Sequence, residues 1–91
     1  MAILLDPQNA NPYLKRGEAY YFLGEPERAI LDYGEAITLD PQDAQSYARR
    51  AVAYTRLENG AAALQDVERA AALGYDRDSL EDAIKKIVSQ Q

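Results

Sequence analysis

The sequence predicts an all-α fold of two stacked helical hairpins followed by one further helix, and three observations predict it. Apolar residues recur every three or four positions, first at Tyr13, Gly17 and Tyr20 and then at Ala29, Ile30, Tyr33 and Ile37, which is the period of a helix. No strand-like alternation competes with it. The pattern then returns at an offset of about 34 residues, with Asp6-Pro7-Gln8 reappearing as Asp40-Pro41-Gln42.

Each element follows in order. Ala2, Ile3, Leu5, Asp6 and Pro7 align with Ala36, Ile37, Leu39, Asp40 and Pro41, so residues 1–7 read as the last turn of a preceding second helix, and the chain is expected to begin inside a repeat. The first full unit covers 10–41. Its first helix is expected over 10–23 with Gly24 just past its end, and its second over 26–39, opened by Pro26 and stopped by Pro41. The second unit, 44–75, repeats the first: Tyr13, Arg16, Ala19, Tyr20 and Leu23 return as Tyr47, Arg50, Ala53, Tyr54 and Leu57, and Ala29, Asp32, Ala36 and Leu39 return as Ala63, Asp66, Ala70 and Leu73. Its helices are expected over 44–57 and 61–73, with Asn59-Gly60 as the turn and Asn59 as a cap. A fifth helix, within 78–90, is drawn by the stripe Leu80, Ala83, Ile84, Ile87 and Val88, with Asp78 as N-cap and Glu81 three residues on. It shows no echo at 34 residues and is expected to cap the last hairpin, with Lys85 and Lys86 serving solvation and the helix dipole.

Composition narrows the chemistry. The 91 residues make one small domain, 47% hydrophobic and 27% charged, as in a soluble globular chain. With no His and no Cys, the usual zinc ligands, the thiol nucleophile and the commonest general base are missing, so neither a metal nor a cofactor is expected. Fifteen acids against ten bases give a net charge of -5, which opposes attraction to nucleic acid or to an anionic membrane. Met1–Leu5 is far shorter than the roughly 20 residues of a membrane span and has no basic segment before it, and the compartment is left undecided with the cytoplasm favoured. Glu35, Asp66 and Glu68 have only the spacing of helix surfaces, not a paired-carboxylate cleft, so no enzyme activity is expected.

Arg16 and Asp32 recur as Arg50 and Asp66 at equal spacing, which predicts two ion pairs, each inside one hairpin and each worth roughly 0–1 kcal/mol if partly exposed.

Tyr13, Gly17, Tyr20, Ala29, Tyr33 and Pro41, with Tyr47, Ala51, Tyr54, Ala63 and Val67 in the second copy, resemble the signature of the tetratricopeptide repeat family. The departures are Arg16 and Arg50 in place of Leu, Tyr75 in place of Pro, and Pro26 and Gly60 in place of an aromatic early in the second helix, where looser packing is expected. The resemblance implies a right-handed superhelical stack in which Gly17 and Ala51 allow close helix approach. It also implies a non-enzymatic scaffold whose concave groove binds a protein or peptide. Its inward positions fall on Asn11, Leu14, Lys15, Glu18, Tyr21 and Phe22, and on Gln45, Ala48, Arg49, Val52, Thr55 and Arg56. The aromatic pair Tyr21 and Phe22 beside Lys15, Arg49 and Arg56 suits an acidic segment with an apolar anchor. The carboxylate clamp of chaperone-binding members does not fit Leu14, Glu18 and Arg49. Homotypic assembly through exposed repeat ends, at Ile3, Leu4 and Leu5, is the alternative.

Overall fold

The computed structural model describes residues 8–91, and the expected helix end at Ala2–Leu5 lies outside them. Five helices follow one another: α1 (Ala10–Phe22), α2 (Pro26–Leu39), α3 (Ala44–Arg56), α4 (Gly60–Ala72) and α5 (Arg77–Ser89). No strand occurs among the described residues.

The helix starts are set by short polar side chains that satisfy the orphan N–H groups of the first turn. Asn9 accepts from the Asn11 N–H at 3.0 Å, Asp43 from Gln45 at 3.1 Å, and Asn59 from Ala62 at 3.3 Å. α2 has no side-chain cap and opens on Pro26, whose missing N–H needs no partner there. The cap of α5 corrects the expectation: it is Asp76, which accepts from the Asp78 N–H at 3.1 Å and from the Ser79 hydroxyl at 2.8 Å. Asp78 already lies inside the first turn, and Glu81 pairs with Arg77 at 3.4 Å. The bonds from Ser79 hold the Asp76 carboxyl below its ordinary range.

The hairpin turns obey one rule. The N–H groups of Gly24 and Glu25 return to the carbonyls of Tyr21 and Tyr20, and those of Glu58 and Asn59 return to Thr55 and Tyr54. This geometry needs a left-handed residue, which is Gly24 in the first hairpin, φ 79°, and Glu58 in the second, φ 59°. Here too the expectation is corrected. Gly60 is not the turn residue but the first residue of α4, because the 34-residue offset places Glu58, and not Gly60, at the position of Gly24.

Within each hairpin, small residues bring the helices together. A Cβ at Gly17 would lie 2.7 Å from the Tyr33 ring and 3.2 Å from the Ala29 carbonyl, so only glycine admits that ring. The second hairpin solves the same contact with Ala51 against the smaller Val67, both buried. Both expected ion pairs form with two-point geometry, Arg16 to Asp32 at 2.7 and 2.8 Å and Arg50 to Asp66 at 2.8 and 2.9 Å. The two carboxylate side chains are each only 6% exposed, so the pairs are more buried than expected, and bonds to charged groups of this kind contribute about 1.5–3 kcal/mol. In return, these carboxylates raise the pKa of the two guanidinium groups still further.

The hairpins stack through α3, which packs against α2 on one side and against α4 and α5 on the other. Ala53 of α3 joins Ala29, Tyr33 and Ala36 in one core, while its Tyr47, Ala48 and Ala51 join Val67, Ala70 and Leu80 in the next. α5 rests on both α3 and α4 through the buried Leu80 and Ile87. Its stripe is not wholly covered: Val88 is 56% exposed, so α5 shields the last hairpin only in part.

Candidate functional site

α1, α3 and α5 lie side by side, and the face they share holds a cavity of about 230 Å³. From α1 it takes Glu18, Tyr21 and Phe22, and from α3 it takes Ala48, Arg49 and Val52. The expected inward residues therefore divide. Glu18, Tyr21, Phe22, Arg49 and Val52 meet at the cavity, with Ala48 as a buried part of its floor. Asn11, Lys15 and Gln45 are exposed on the same helices but do not line it. Arg56 stands in an adjoining hollow with Tyr21, Phe22, Gly24 and Pro26. Two expectations are corrected. Leu14 is 7% exposed and packs into the core of the first hairpin, one helical turn from Glu18 but rotated toward α2. Thr55 is buried toward α4 and α5, where its hydroxyl donates to the Ala51 carbonyl at 2.9 Å.

The α5 side of the cavity is supplied by Tyr75, Ser79, Leu80 and Ala83, which were not among the expected contacts. A signal for them exists in the sequence. Asp43 and Ser46, the cap of α3 and the serine three residues on, recur as Asp76 and Ser79 at an offset of 33 rather than 34. Both serines donate to their caps, at 3.0 and 2.8 Å. One residue fewer in the linker hides this shared cap register.

The polar groups of the face are already engaged with one another. Arg49 Nη1 lies 3.2 Å from Glu18 Oε2, a half-exposed pair worth about 0–1 kcal/mol. Arg49 Nε is shielded from solvent and has no hydrogen-bond partner among the described residues. Arg56 Nε donates to the Tyr21 hydroxyl at 2.9 Å, and its guanidinium stacks 5.7 Å from that ring. The Tyr21 ring meets Phe22 edge-on at 5.5 Å, and Phe22 itself is 74% exposed. Beneath them the Tyr33 phenol is pushed up to about 12 by burial, with Arg49 drawing it down and Glu18 opposing.

This arrangement can hold a polypeptide and an acceptor group. It contains a large exposed aromatic ring, a shallow apolar floor and a half-exposed guanidinium. Among the described residues no three His, Cys, Asp or Glu side chains converge to hold a metal ion, and no helix is long and apolar enough to cross a membrane.

The family model described as "Tetratricopeptide repeat" matches residues 10–43, which comprise α1, α2 and the link to α3. No curated protein matches the chain. Repeats of this family mediate protein–protein interaction, and nothing in the match points to catalysis.

Proposed function

Residues 10–43 being a tetratricopeptide repeat, we propose that the face shared by α1, α3 and α5 binds a short acidic segment of a partner protein that carries one apolar side chain. The observation that carries this reading is the pairing of Phe22, exposed beside a shallow cavity, with the half-exposed guanidinium of Arg49, which holds Glu18 by a weak surface pair. An incoming carboxylate competes with Glu18 for the half-exposed Arg49 guanidinium, while the partner's apolar side chain packs between Phe22, Val52 and Ala83. The net charge of -5 keeps other acidic chains away unless they reach this local donor. A groove of three helices is short, so binding is expected to be modest and sensitive to salt. The module acts as a scaffold and performs no reaction.

The test is selection of peptides from a random library by the wild-type chain, by Arg49→Gln and by Phe22→Ala, each confirmed folded by circular dichroism. Wild type is expected to enrich an acidic residue within a few positions of an aliphatic or aromatic one. Arg49→Gln loses the acidic preference, and Phe22→Ala weakens binding about tenfold, or about 1.4 kcal/mol, the size of a modest hot spot. Identical enrichment by all three chains sinks the reading. Homotypic assembly was expected through Ile3, Leu4 and Leu5, which lie outside the described residues, and growth of the sedimentation coefficient with concentration is its signature.

A further inference from the structure

A second hollow, of about 400 Å³, lies between α4 and α5 on the side away from the groove just described. This volume lies within the roughly 300–1,000 Å³ of small-ligand pockets. The repeat explains why it exists. Tyr21, Pro26 and Tyr33 of the first hairpin correspond, 34 residues on, to Thr55, Gly60 and Val67, and those three smaller residues line the hollow. What two phenol rings and a proline fill in the first hairpin is left open in the second. The Thr55 hydroxyl is spent on its own helix, so the floor makes no polar demand. Leu64 and Val88, each more than half exposed, form apolar walls.

The rim is polar in a particular way. Glu81 and Lys85, one turn apart on α5, both line it, yet they do not pair: Glu81 turns to Arg77, and Lys85 makes no ion pair among the described residues. One acceptor and one donor thus stand at the mouth of an apolar, ring-sized space. In the first hairpin the buried Tyr33 ring likewise lies beside a carboxylate and a guanidinium, those of Glu18 and Arg49, which there pair with each other.

We propose that the hollow between α4 and α5 is a second recognition site, which takes the tyrosine side chain of a partner polypeptide. The ring packs on Val67, Leu64 and Val88, and the phenol O–H donates to Glu81 while accepting from Lys85. The site is independent of the groove and does not rest on the groove's proposed ligand.

N-acetyl-tyrosinamide, N-acetyl-phenylalaninamide and p-cresol are titrated into the isotopically labelled chain, and the methyl resonances of Leu64, Val67 and Val88 are followed by NMR. N-acetyl-tyrosinamide is expected to give saturable shifts confined to these methyls, with a Kd on the order of 1 mM for so small a probe, and to bind several-fold more tightly than the phenylalanine analogue. Thr55→Tyr, which restores the residue of the first hairpin, fills the space and abolishes the shifts. Val88→Ser, at a position more than half exposed, weakens binding several-fold and serves if Thr55→Tyr fails to fold. Lys85→Ala removes the preference for tyrosine over phenylalanine. The proposal is overturned by any of four results: no saturable shift, shifts at Phe22 and Val52 instead, binding of p-cresol without N-acetyl-tyrosinamide, or shifts of the Leu64 and Val88 methyls with protein concentration alone. The last outcome would assign the hollow to a second copy of the chain.

Discussion

Gly17 and Tyr33 are one packing decision made by two residues. The ring lies where any Cβ at position 17 would be, and the second hairpin makes the opposite choice with Ala51 and Val67. Gly17→Ala is therefore expected to cost about 1–3 kcal/mol through overpacking, despite the better helix propensity of alanine. Adding Tyr33→Val recreates the second hairpin's pair. By chemical denaturation the double variant should be more stable than the sum of the single losses by about 0.5–3 kcal/mol, and simple additivity would show that the ring and the glycine are not coupled. Tyr33 also links the fold to pH. Its folded phenol ionises at about 12 against about 10 in an unfolded chain, so the stability it contributes is full below pH 10 and is lost as pH rises through 12. The difference between the alkaline absorbance titrations of wild type and Tyr33→Phe should contain a single phenol ionising near pH 12. A difference centred near pH 10 would contradict this.

At the scale of the element, every helix is bounded by local chemistry, and the exception is instructive. Gly24 and Glu58 close α1 and α3 with the same bonds, but Glu58 carries a side chain at φ 59°, a conformation that L-residues adopt only at a cost of about 1 kcal/mol or more. Glu58→Gly is expected to stabilise the protein by roughly 0.5–1 kcal/mol, the relief of strain exceeding the added entropy of the unfolded chain. Glu58→Ala, which removes the charge but keeps the Cβ, should bring no such gain. A rise in Tm for alanine equal to that for glycine would trace the effect to charge rather than to backbone. The paired arginines act at this scale too. Each joins the two helices of one hairpin by a two-point bond to a buried carboxylate, so each hairpin carries its own polar clasp.

For the whole molecule the decisive fact is that α3 belongs to both cores. It is covered by α2 on one side and by α4 and α5 on the other, whereas α1 and α5 are each the outer member of the described stack. In a structure built from nearest-neighbour contacts, local opening is easiest at the outer elements. Native-state hydrogen exchange should find the slowest amides in α3, around Tyr47–Ala53, with α1 and α5 exchanging faster. Slower exchange in α5 than in α3 would show that the stack is not organised around its middle helix. The same architecture creates both candidate sites: the groove exists because α5 packs beside α3 and closes its far side, and the hollow exists because α5 meets an α4 whose neighbours are small.

The sequence by itself determined what depends on neighbours along the chain or on the repeat. Helical period, the cap at Asn59, the stop at Pro41 and the two arginine–aspartate pairs were all legible, because each is a local rule or is written twice at one spacing. The tertiary structure alone decided which side chains meet across different hairpins. The family register put Leu14 in the groove, but the packing of α1 on α2 buries it. Arg49 and Arg56 read as free cations, yet they hold Glu18 and the Tyr21 hydroxyl, partners 31 and 35 residues away. The shift of one residue before α5 concealed that this expected helix lines the groove, and the loss of bulk at Thr55, Gly60 and Val67 becomes a hollow only once α5 has docked beside them. Exposure and pairing of this kind are properties of surfaces brought together, and their free energies are fixed by the geometry of contact between elements rather than by the order of residues within one.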